Sequence, residues 1–99
     1  MNDHAGVIRI ARHQAAEGRR DEVAGLLRAA AESMRDAPGC FGAQVMSSDR
    51  KQEQLILVSR WQSVDAMDKY NARPEFAGFQ REIMSSLEGA PDVEILTSA

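Results

Sequence analysis

The sequence contains one cysteine, Cys40, among its 99 residues, so no disulfide can close within the chain. Nothing therefore points to an oxidising compartment, and the cytoplasm is the expected setting. The opening MNDHAG has neither the basic start nor the apolar centre of a secretory signal. Histidine is almost as scarce, with only His4 and His13, and no HExxH pair or paired-cysteine spacing occurs, so no metal site is expected. A glycine-rich phosphate or dinucleotide loop is also missing, which argues against a bound flavin or nicotinamide. The formal net charge of −3 and pI near 5.3 disfavour a nucleic-acid surface, and the one dense basic pair is Arg19-Arg20. No apolar run approaches the ~20 residues of a membrane helix, so a soluble chain is expected. The five aromatics all lie outside VIRIARH and LILVSR, so these strands lack the stacking platform of an RNA-reading sheet.

What is present is a regular alternation of element signals. GVIRIARHQ puts Ile8 and Ile10 on one side and Val7, Arg9, Ala11 and His13 on the other, which predicts a strand ended by Gly18. From Arg19 to Arg35, Val23, Leu26, Leu27, Ala30 and Met34 recur at spacings of three and four, as on one face of a helix. Pro38-Gly39 stops it: proline cannot continue a helix and glycine accepts the left-handed exit. CFGAQVM predicts a second strand with Phe41, Ala43 and Val45 on one face, and SSDRKQEQ a hairpin turn. QLILVSRW, ending in Trp61, predicts the third.

Ser63 is the expected N-cap of a short helix with Val64, Met67 and Tyr70 or Asn71 inward. Proline in the first turn then opens another helix, at RPEF, with Phe76, Phe79, Ile83, Met84 and Leu87 as its apolar stripe. Gly89 closes it, and VEIL forms a last strand. The order predicts a single α+β domain of ferredoxin-like, split β-α-β type: a four-stranded antiparallel sheet with its helices on one face. The first and third strands carry aliphatic residues on both sides, so the uncovered face is partly apolar and a homodimer through sheet faces is expected.

With PGC at Pro38 to Cys40, a strand ending in Trp61, the following WQSVDAM and then RPEF, the chain resembles the antibiotic biosynthesis monooxygenase family over nearly its whole length. The resemblance implies a dimeric α/β barrel and, for members that modify polyketides, oxidation without a cofactor. An electron-rich phenolate or enolate reduces oxygen itself, so the protein need only remove a proton, hold the substrate and exclude water. By the same resemblance, the positions that serve haem-degrading members hold Ala11, Tyr70 and Gln80 here, which removes the axial histidine.

The expected substrate is a small aromatic, anthrone or quinol-type metabolite. His13 is the candidate base near neutral pH and Arg9 the anion stabiliser, if their strand side faces the helices; otherwise His13 ends a strand at the solvent edge. Trp61 and Tyr70 are candidates to orient the ring, against a structural reading in which both are packing. Met67, Phe76, Phe79, Ile83 and Met84 form either a ligand wall or a core stripe. Cys40 follows a helix C-terminus, whose partial negative charge opposes a reactive thiolate, so it reads as a structural corner. The alternative function is a non-catalytic small-molecule-binding or stress-response module of the same fold.

Overall fold

A computed structural model describes residues 6–99. His4 and the opening residues read above against a secretory signal lie outside them.

The elements follow the order β1 (Val7–Gln14), α1 (Arg20–Arg35), β2 (Cys40–Ser47), β3 (Gln54–Trp61), α2 (Val64–Asn71), α3 (Pro74–Met84) and β4 (Asp92–Thr97). The strands form one antiparallel sheet in the order β2-β3-β1-β4, an α+β ferredoxin-like fold. Placing β1 in the interior is what builds the site, because β1 is paired along both edges, with Ala11 opposite Leu57 on one side and Val93 on the other.

Alternation in β1 fixes which side chains meet the helices. Val7, Arg9, Ala11 and His13 are buried, while Ile8, Ile10 and Arg12 lie on the opposite face. The inner set continues through Leu55, Leu57, Ser59 and Trp61 of β3, all buried. Against it α1 packs Val23, Leu27, Ala30 and Met34, and Ala24 and Ala31 extend the buried stripe beyond the predicted residues.

Two junctions hold the helices in place. Ser63 caps α2 by accepting a hydrogen bond from the Ala66 amide at 3.1 Å, as its sequence position predicts. Gly39 follows α1 with φ +82°, and a Cβ there would stand 2.6 Å from that of Ala66. The corner therefore needs glycine for conformation and for space.

The structure differs from the sequence pattern at Phe41, at Val64 and at the end of α3, which stops at Met84, so that Leu87 follows the helix and Met84 is itself 46% exposed. A bulge between Cys40 and Gly42 shifts the register of β2, so Cys40 rather than Phe41 lies opposite Trp61. Phe41 is consequently 43% exposed and does not share the inner face with Ala43 and Val45. Val64 is exposed as well, since it stands in the first turn of α2, ahead of the part that reaches the core through Met67 and Tyr70.

No helix covers the outer sheet face. It presents Ile8, Ile10, Ile56 and Val58, with Met46 and Leu96 beside them, and Arg12 pairs there with Glu94 at 3.3 Å. All six residues of β4 are exposed, including the inward-pointing Val93 and Ile95. Helix cover thus stops short of this edge. Among the described residues, no helix is long and apolar enough to cross a membrane.

Candidate functional site

Between β1, α1 and α3 lies a cavity of about 190 Å³. Its floor is the inner face of β1, with Arg9, Ala11 and His13, joined by Leu57 of β3. Leu27 and Ala30 close it from α1, and α3 contributes Phe76, Phe79, Gln80, Ile83 and Met84. Pro91 and Val93 border the end toward β4. Space remains because two of the facing residues, Ala11 and Ala30, are small although both are buried.

Two charged or ionisable side chains, His13 and Arg9, stand on the floor. His13 is 6% exposed and its Nδ1 lies 3.3 Å from the Leu55 carbonyl. That carbonyl can only accept, so Nδ1 carries the proton and leaves the Nε2 lone pair unclaimed, an assignment made from hydrogen bonding. Burial pushes the imidazole below its ordinary value and the Arg9 charge acts in the same direction, while the backbone contacts to Leu55 and Ala11 oppose them. The ring is held neutral and able to accept a proton near pH 7.

Arg9 is 8% exposed. Its guanidinium lies 5.6 Å from the centroid of the Phe76 ring, over its face. Burial lowers its affinity for the proton, yet an arginine remains cationic under all ordinary conditions. Among the described residues, no carboxylate forms a salt bridge with it.

The structure thus brings together His13, Arg9, Phe76, Phe79 and Ile83. It does not bring Trp61, Tyr70 or Met67 to the cavity surface. Trp61 is fully enclosed and its indole nitrogen donates to Ser59 Oγ at 2.9 Å, which satisfies its one polar atom inside the core. The Tyr70 hydroxyl donates to Ser33 Oγ at 3.0 Å, and Ser33 in turn donates to Glu75 at 2.7 Å. Burial pushes the phenol above its ordinary value.

Trp61 and Tyr70 stand behind the wall. Their rings are 5.7 Å apart, and Tyr70 meets Phe76 edge-on at 5.5 Å. A continuous stack therefore runs from Trp61 through Tyr70 and Phe76 to Arg9. The rings of Trp61 and Tyr70 thus back the Phe76 ring against which Arg9 rests.

Sequence reasoning passed over Ala11 and Ala30 as cavity formers, and Pro91 and Val93 as its border. The signal available for the alanines was their small size at inward positions of a strand and a helix. Gln80 was read only as the residue standing where haem-degrading relatives carry their ligand; here it lines the cavity.

Haem does not fit this site. Gln80 lines the cavity with an amide where the resemblance to haem-degrading members implies their axial imidazole, and 190 Å³ falls below the ~300–1,000 Å³ of pockets that enclose drug-sized ligands. Among the described residues, no group of three or more His, Cys, Asp or Glu could hold a metal ion. Cys40 is half-buried at the head of β2 with Sγ 3.6 Å from the Gly42 carbonyl, and burial pushes its thiol up, the opposite of an activated nucleophile.

Comparison with solved structures returns the same architecture. Rv0793 from Mycobacterium tuberculosis is 24% identical and superposes with a TM-score of 0.86 over 94% of each chain. A conserved protein from Methanosarcina mazei Go1 is 15% identical with a TM-score of 0.90, over 98% of this chain and 96% of that one. A crystal structure described as an antibiotic biosynthesis monooxygenase is 18% identical, with a TM-score of 0.84 over 94% of this chain and 98% of its own. At such identities the likeness is one of fold. No curated protein matches the chain. The sequence itself matches the model of the antibiotic biosynthesis monooxygenase family over residues 6–82, from the start of β1 to the last turn of α3, and the chain belongs to that family.

Proposed function

We propose that the protein oxidises a small phenol, quinol or anthrone-type metabolite with molecular oxygen, using no cofactor. Family membership and the monooxygenase-like neighbours support a generic monooxygenase-like function. The observation that carries the finer reading is His13: a buried neutral imidazole, with one nitrogen tied to Leu55 and the other free, at the floor of an apolar cavity.

His13 takes a proton from an acidic C–H or O–H of the substrate, leaving an electron-rich carbanion or phenolate. The Arg9 charge, on the same strand face, offsets the guest's negative charge where water is scarce. The anion passes one electron to oxygen, and the resulting superoxide and substrate radical combine into a carbon–oxygen bond. The peroxide is protonated. When His13 removes the second proton from the same carbon, the O–O bond breaks, hydroxide leaves to become water, and a carbonyl remains. In total a CH₂ group and O₂ become C=O and H₂O.

The uncovered outer face, with Ile8, Ile10, Ile56 and Val58 at its centre, supports a homodimer packed sheet against sheet. In that assembly the helix side stays free for the substrate.

Oxygen uptake by purified, metal-free protein with a panel of quinols, phenols and anthrones tests the reading. A rate above the buffer control is expected for at least one compound, and no rate with any of them would overturn it.

A second reading is favoured by one feature. With Trp61 and Tyr70 turned into the core, the cavity offers few polar groups besides His13 and Arg9. A non-catalytic binding or stress-response module requires no more than this, and its signature is ligand stabilisation without oxygen consumption.

A further inference from the structure

The cation on the cavity floor has a geometry that oxygen chemistry alone does not require. Arg9 is more than nine-tenths buried, lines the cavity, and forms no salt bridge among the described residues. Its contact with the Phe76 ring attracts the charge but offers no hydrogen-bond acceptor for the guanidinium N–H groups. The hydroxyl opposite it on β3, that of Ser59, already accepts from Trp61. Its nitrogens are not sealed in the core but reach accessible space, so a partner entering the cavity can meet them, and a charge this poorly solvated gains from one.

The partner's chemistry follows from the surroundings. A guanidinium presents a planar fork that matches a carboxylate with two parallel hydrogen bonds. Arg9 is the only lysine or arginine lining the cavity and His13 is held neutral, so the site supplies one positive charge and suits a monoanion better than a phosphate dianion. The remaining walls, Ala11, Leu57, Phe79 and Ile83, are apolar. A cavity of ~150 Å³ engineered elsewhere takes benzene, so 190 Å³ has room for an aromatic ring system.

We propose that the cavity takes an aromatic acid, its carboxylate on the Arg9 guanidinium and its ring between Ala11, Leu57 and Phe79. This deepens the functional reading above and rests on its identification of the cavity as the ligand site. The carboxylate is a permanent handle, distinct from the proton that His13 removes. His13 lies four residues further along the same strand face, with Cα about 13 Å from that of Arg9. The acid anchors one end of the guest and presents the other to the base.

Calorimetric titration of the wild-type protein with benzoate, 2-naphthoate and their neutral primary amides tests the inference. Each acid is expected to bind at least about tenfold more tightly than its amide, and Arg9→Gln to bring the ratio close to one. Equal affinity of acid and amide in the wild type, failure of all four to bind, or a preference that survives Arg9→Gln would overturn the anion site. The wild-type comparison stands even if the variant does not fold. Because these ligands need not be oxidised, an acid preference in a protein that consumes no oxygen keeps this inference and removes the oxygenase reading. Oxygen uptake with neutral quinols and no acid preference does the reverse.

Discussion

The indole nitrogen of Trp61 donates to the hydroxyl of Ser59, two residues earlier on the same inner strand face, at 2.9 Å, and both side chains are wholly enclosed. An enclosed N–H needs an acceptor, and this one finds it within its own strand. Replacing Ser59 with Ala leaves the indole without that partner. The expected loss is about 1–3 kcal/mol of folding stability, read by chemical denaturation, with ligand affinity unchanged. A fall in affinity with intact stability would instead put Trp61 in contact with the guest.

His13 links stability to pH. Burial holds its folded value below the ordinary 6.5, so between the two values the unfolded chain binds the extra proton. Stability is complete above about pH 6.5 and declines as the pH falls from there through the folded value. In His13→Gln, whose amide can still donate to the Leu55 carbonyl, that part of the decline should vanish from denaturation curves taken across this window.

The same residue governs turnover in the proposed reaction. The rate should rise with pH along an acid limb whose midpoint lies below 6.5. Loss of a positioned base costs on the order of 10²–10⁴ in rate, so His13→Gln should lower oxygen uptake by at least about a hundredfold while benzoate binding changes little. Unchanged uptake would remove His13 as the base.

Filling the cavity from the floor separates binding from folding. Ala11→Leu directs a larger side chain into the space between β1 and α1. The expected result is loss of ligand binding with stability within about 1–2 kcal/mol of the parent, measured by calorimetry and thermal unfolding together. Retained affinity would place the guest elsewhere.

On the outer face, Ile10→Lys puts a charge at the middle of the apolar strand surface. Light scattering should show the parent as a dimer and the variant as a monomer at micromolar concentration. A monomeric parent would remove the sheet-to-sheet assembly.

The inward set of β1 was legible because alternation is a local property: Val7, Arg9, Ala11 and His13 share a side in any strand read from VIRIARH. The caps were legible for the same reason, as with Ser63 before α2. The bulge at Phe41 was not. It is settled by pairing with β3 and by the close approach of Gly39 to Ala66, which join residues distant in sequence. For Trp61 the sequence leaves a substrate platform and core packing both open, because an aromatic at a strand end has no local mark of its facing; the hydroxyl at Ser59 is the nearest clue. The cavity was illegible for a different reason. It is made by side chains that are too short, Ala11 and Ala30, on elements whose separation only the assembled fold defines.

The interior position of β1 also bears on how the chain reaches its native state. Its partners come late: His13 pairs with Leu55, Val7 with Trp61 and Arg9 with Ile95. The β2–β3 hairpin, joined by a short turn, can form early, whereas registering β1 closes loops of 40 residues or more. Arg9, Ala11 and His13 are therefore fixed in the slow, non-local phase of folding, and the binding floor is expected to appear in refolding experiments only with the final cooperative step.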